Sequence, residues 1–71
     1  MLGNYLALRR AAKAVKELTA LGMFREIRIR QGARGLESVL VVRHHGITSR
    51  MNERAALGLA DTMKRLEAAR G

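Results

Sequence analysis

The tract from Arg25 to Arg43 constrains the fold more than any other part of the chain. It reads Arg-Glu-Ile-Arg-Ile-Arg, then a glycine-flanked reversal across Gln31 to Gly35, then Glu-Ser-Val-Leu-Val-Val-Arg. In the first arm Ile27 and Ile29 alternate with Arg28 and Arg30, a period of two that puts apolar side chains on one face of a strand and charges on the other. In the second arm Val39-Leu40-Val41-Val42 is apolar on both faces and β-branched at three of four positions, which suits a strand with both sides at least partly covered. Gly32 and Gly35 accept positive φ without steric cost, so the two arms predict a β-hairpin with a reversal of three to five residues.

Both flanking segments read as helices. Asn4 is placed to cap a first helix that runs to about Leu21, with Tyr5, Leu8, Ala11, Ala12, Val15 and Leu18 on one face and Arg9, Arg10, Lys13, Lys16 and Glu17 opposite. Gly22 sits where a left-handed residue ends such a helix, and Met23 and Phe24 lead into the first strand, with Phe24 expected in the core. After the hairpin, Arg43-His44-His45-Gly46 reads as a polar connector. Thr48-Ser49 and Asn52 compete as caps, so the second helix begins near Arg50 or near Glu53 and runs to about Ala69. Its apolar stripe is Ala56, Leu59, Ala60, Met63 and Leu66; Arg50, Arg54, Asp61, Lys64 and Arg65 lie opposite, with Asp61 spaced to pair with Lys64 and Arg65.

The resulting order is helix, strand, strand, helix. It predicts one small α+β domain over residues 1–71, a two-layer unit with both amphipathic helices packed on one face of the hairpin. A domain this small buries only about 60% of the surface of its unfolded chain. Without cysteine, neither disulfides nor a cysteine-ligated zinc can compensate. Oligomerisation is the remaining common device, and a second arm apolar on both faces between two unpaired sheet edges predicts a homodimer, paired edge to edge or stacked face to face. No apolar run approaches the roughly 20 residues that span a bilayer, and the N-terminus lacks the pattern of a secretory signal. A cytoplasmic protein without membrane association is therefore expected.

Charge narrows the partners. The chain holds 14 Lys and Arg against 6 Asp and Glu, a net charge of +8, and eleven of the cations are arginine. Guanidinium groups pair with phosphates through a planar fork and release condensed counterions, so the balance favours polyanions. GC-rich coding that inflates arginine and alanine is the competing explanation. One Tyr, one Phe and no Trp leave little for bases to stack on, which weighs against a single-strand binder.

Candidate sites follow from those charges. Arg28 and Arg30 share a face of the first strand, Arg34 lies in the turn and Arg43 closes the second strand, so a basic ribbon of the width of the DNA major groove is available. Arg9, Arg10 and Lys13, with Lys16, form a second basic patch on the back of the first helix. For each, the alternative is an ordinary solvated face. His44 and His45 point to opposite faces of a strand end and are poorly placed to share a metal. Ser49 near His45 lacks an acid partner and reads as a cap rather than a nucleophile, and Gly32 and Gly35 lack the spacing of a phosphate loop. No reaction, metal or cofactor is expected.

Two resemblances are present. The tract Val15 to Val42, a helix ending Leu-Gly, then Met-Phe, Ile-x-Ile and a valine-rich strand, is similar to the second helix and following hairpin of POTRA domains. Over the whole chain, order and size resemble the small head–tail joining proteins of lambda-like phages. Neither resemblance carries functional residues over. The leading expectation is a dimeric module binding nucleic acid through the hairpin arginines; the alternative is an assembly factor or inhibitor that docks on an acidic protein surface.

Overall fold

In the computed structural model the backbone is described for residues 2–70 and the side chains for residues 5–70. The order is α1 (Leu2–Leu21), β1 (Phe24–Gly32), β2 (Gly35–Arg43), β3 (Thr48–Met51) and α2 (Glu53–Ala69). The chain is thus an α+β fold in which both helices pack against the hairpin, extended by one strand at residues whose sequence reads as connector and helix start.

Helix α1 begins at Leu2, so Asn4 falls inside it rather than at its cap, and the Asn4 side chain lies outside the described residues. Its end is as expected: Gly22 adopts φ +69° and donates its N–H to the Thr19 carbonyl at 3.1 Å, satisfying one of the helix's orphan acceptors. The buried stripe is Ala11, Ala14 and Leu18, with Val15 and Leu21 packed beside it. Tyr5, expected in that stripe, is 56% exposed, and Ala12 also faces solvent. The stripe turns toward Ala14 because α1 packs on α2 as well as on the sheet: small residues Ala11 and Ala14 join Ala56 and Ala60 of α2 in one cluster, where the absence of longer side chains lets the helices approach closely.

Strand β1 keeps its two faces only by means of a bulge. Phe24 pairs with Arg43 and Glu26 with Val42, leaving Arg25 without a partner residue. A strict period of two would send Phe24 to the face opposite Ile27. The extra residue restores the phase, and Phe24, Ile27 and Ile29 all pack against the core. Phe24 lies at the core's margin; Leu18, Val39 and Val41 are its largest fully buried side chains. The reversal is tighter than expected, two residues (Ala33 and Arg34) between Gly32 and a Gly35 at φ +109°.

Strand β3 occupies the second edge of β2, with Val39 opposite Met51 and Val41 opposite Ser49. One premise of the dimer expectation, two unpaired hairpin edges, therefore does not hold for β2. The connection is itself a hairpin: Arg43 donates its N–H to the Ile47 carbonyl at 2.9 Å, Gly46 donates to the Arg43 carbonyl at 3.0 Å, and Gly46 takes φ +90°. Thr48 and Ser49 are thus strand residues. Asn52 caps α2, its Oδ1 accepting from the Ala55 N–H at 2.7 Å, which settles the start of the helix at Glu53.

The helices cover the face that carries Ile27, Ile29, Val39, Val41 and Met51. They finish at the same end of the sheet, since Met63 of α2 and Arg70, which caps its C-terminus, lie beside Met23 and Phe24, which follow α1. Lys64 Nζ reaches across to Glu17 Oε1 at 2.7 Å, tying α2 to α1, while Asp61 keeps only its expected partner Arg65, at 3.0 Å. Leu66, expected in the apolar stripe, lies beyond the last core residue of α2, Ala60, and is 53% exposed.

Candidate nucleic-acid interface

Two groups of cations lie on separate parts of the surface. The first is the sheet face turned away from the helices. Pairing registers set Arg28 of β1, Leu40 of β2 and Arg50 of β3 in one row, and Arg30 opposite Ser38 in the next. Neighbouring strands lie about 4.8 Å apart, so the Arg28 and Arg50 backbones flank Leu40 at a separation of about 10 Å. Arg50 belongs to this face although its sequence position read as the polar side of a helix. The signal that could have found it is His44-His45-Gly46 between two β-branched segments, the composition of a short hairpin loop closed by a left-handed glycine.

Carboxylates accompany two of these arginines. Arg28 Nε pairs with Glu26 Oε1, and Arg30 Nε lies 3.5 Å from Glu37 Oε2, the residue that bulges out of register on β2. Both arginine side chains remain largely in solvent, at 74% and 56% exposure, so each pair is screened and weak. Arg28 and Arg50 flank Leu40 of the central strand, while Val42, between Glu26 and Thr48, is buried although no helix covers this face.

Arg34 and Arg43 do not join that ribbon. Arg34 sits in the tight turn. Arg43, two residues after Val41, alternates onto the helix side of β2 and lies at the far end of the sheet, beside Met23, Phe24, His45, Met63 and Arg70.

The second group lies on α1. Arg9, Arg10, Lys13 and Lys16 line one open hollow on the side of the helix away from Ala11, Ala14 and Leu18. Arg9 to Lys16 spans seven residues, about 10 Å of helix axis, or about three base-pair rises along one strand of a duplex. The Arg9 guanidinium stands over the exposed Tyr5 ring, 5.8 Å from its centroid, within range of a weak cation–π contact. Among the described residues none of the four cations makes ion-pair contact with a carboxylate. Glu17, the acidic residue nearest in sequence, is drawn to Lys64; that hydrogen bond, with the charges of Lys64 and Lys13, holds its carboxyl below the usual range.

The expected site residues therefore separate: Arg9, Arg10 and Lys13 share one helix face, Arg28 and Arg30 share the sheet face, and Arg34 and Arg43 stand apart. Among the described residues no three of His, Cys, Asp and Glu are grouped to hold a metal ion, and no helix is long and apolar enough to cross a membrane. No protein-family model, curated protein or solved structure matches the chain.

Proposed function

We propose that this protein is a small basic module of the cytoplasm that binds nucleic acid through phosphate contacts and performs no reaction. The observation that carries the reading is the outer face of α1. Arg9, Arg10, Lys13 and Lys16 stand on one side of α1 with no ion-pair partner among the described residues; Glu17 offsets part of the Lys13 charge, but the face stays net positive toward an approaching phosphate. The sheet-face arginines add to the field, but Glu26 and Glu37 offset part of theirs. Helix α1 presents cations and no stacking platform beyond Tyr5, which favours duplex backbone over unpaired bases.

Fluorescence anisotropy with duplex DNA, duplex RNA and single strands across a salt series tests the reading. Four phosphate contacts give a slope of log affinity on log salt of about −3.6 on duplex DNA. Replacing Arg9, Lys13 and Lys16 together by glutamine brings the slope to about −1, while Arg28→Gln with Arg50→Gln leaves most of it. Absence of binding to every polynucleotide at low salt discards the reading; loss of the slope in the sheet variant instead moves the interface to the sheet.

A second reading, a protein-assembly factor working as a homodimer, is favoured by β1. This nine-residue strand has β2 on one side and, among the described residues, no strand on the other. Sedimentation showing a monomer at high micromolar concentration removes it.

A further inference from the structure

We infer that the cleft where both helices finish is a second anion site, formed for a phosphomonoester on a flat apolar body such as a nucleoside monophosphate. Six residues from separate parts of the chain meet there: Met23 and Phe24 between α1 and β1, Arg43 and His45 at the end of β2 and its loop, and Met63 and Arg70 on and just after α2. They line an open cleft of about 300 Å³, at the small end of the range for small-molecule sites. None of these residues belongs to the α1 face, so this site stands or falls separately from the nucleic-acid reading.

The lining has two chemistries in one place. Phe24 and the thioethers of Met23 and Met63 supply an aromatic edge and soft, adaptable surface for a planar group. Arg43 and Arg70 supply two guanidinium forks, and His45 a third nitrogen donor. Among the described residues no carboxylate lines the cleft, in contrast to the paired arginines of the sheet. Two fixed positive charges match the dianion of a phosphomonoester; a single carboxylate would leave one guanidinium without a counter-charge. The C-terminal ends of α1 and α2 bring partial negative charge to this end of the molecule, so the helix dipoles do not help hold an anion and both arginines are needed. The residues are half-buried or exposed, which leaves the cleft open to a ligand from solution.

Titration of the full chain with adenosine 5′-monophosphate, monitored by NMR at the methionine methyls, the Phe24 ring and the arginine Nε groups, tests the site. Adenosine, inorganic phosphate and decanoate serve as comparison ligands. The expected result is shifts at Met23, Phe24, Met63, Arg43 and Arg70, with the monophosphate binding at least about tenfold tighter than each comparison ligand. Arg43→Gln with Arg70→Gln should weaken it at least about tenfold, with the duplex affinity nearly unchanged. Because Arg43 is half-buried, Arg70→Gln alone, at the exposed end of α2, provides the variant that does not disturb the fold. A 5′-phosphorylated trinucleotide that binds tighter than the free monophosphate identifies the source as a strand end, and equal binding identifies the free nucleotide. Equal affinity for decanoate or inorganic phosphate, shifts scattered over α1, or no binding overturns the inference.

Discussion

Asn52→Ala should destabilise the protein by about 1 kcal/mol, while Thr48→Val should leave its stability within about 0.5 kcal/mol. The two substitutions separate the observed start of α2 from the earlier start that Thr48 and Ser49 would have given. The Asn52 Oδ1 accepts the Ala55 N–H at 2.7 Å in an exposed setting, the geometry for which loss of a cap costs toward the middle of the measured range. Alanine at 52 leaves that donor to water alone. At Thr48, valine removes the hydroxyl but keeps the branched β-carbon, which a strand residue opposite Val42 tolerates and a capping residue does not. For a domain of 71 residues, 1 kcal/mol is about 4–8 °C in melting temperature and a sizeable part of a total of about 4–11 kcal/mol. Urea unfolding followed by circular dichroism reads both variants, and Asn52→Asp, which retains the acceptor and places negative charge at the helix start, should restore the stability that alanine removes. If Thr48→Val costs as much as Asn52→Ala, then the helix starts before β3 can form and the pairing of β3 with β2 is wrong.

Two further substitutions probe the layers. Val39→Ala removes two methyl groups from a fully buried position between Ile29 and Met51 and should cost about 2–3 kcal/mol in chemical denaturation, from about 1.6 kcal/mol of lost transfer and a further cavity contribution; a cost below about 1 kcal/mol would mean that the helices do not cover this face. The Glu17 carboxyl is held below its ordinary range by Lys64, so the bond between α1 and α2 is fully present above the ordinary carboxylate pKa and is lost as pH falls through the lowered one. Glu17→Gln should therefore flatten the acid limb of a stability-versus-pH profile, and an unchanged limb refutes a stabilising role for the pair.

Much of this architecture is legible in residue order because it depends on local rules. Gly22 ends α1 because a left-handed residue is required there, and Ile27 and Ile29 face the core because a strand alternates. The basic face of α1 follows in the same way from 3.6-residue periodicity. Other features depend on partners distant in sequence. Thr48 to Met51 carries too few residues to declare itself a strand; it becomes one because the apolar strand β2 offers it an unpaired edge. Tyr5 and Ala12 lose their places in the core to Ala14 because α1 has a second helix to pack against, and Phe24 regains the core face through a bulge at Arg25 that no local pattern announces.

The sequence by itself determined the α+β class, both amphipathic helices, the hairpin and the net charge of +8, since each follows from periodicity, turn residues or composition within one stretch of chain. Tertiary structure alone decided which cations stand together. Arg28 gained Arg50 through strand pairing across two turns, Arg43 was carried to the opposite face and end of the sheet, and Arg43 and Arg70 met beside Phe24 because both helices stop at the same edge. Local rules say which way a side chain points from its own element; only the packing of elements says what it points toward.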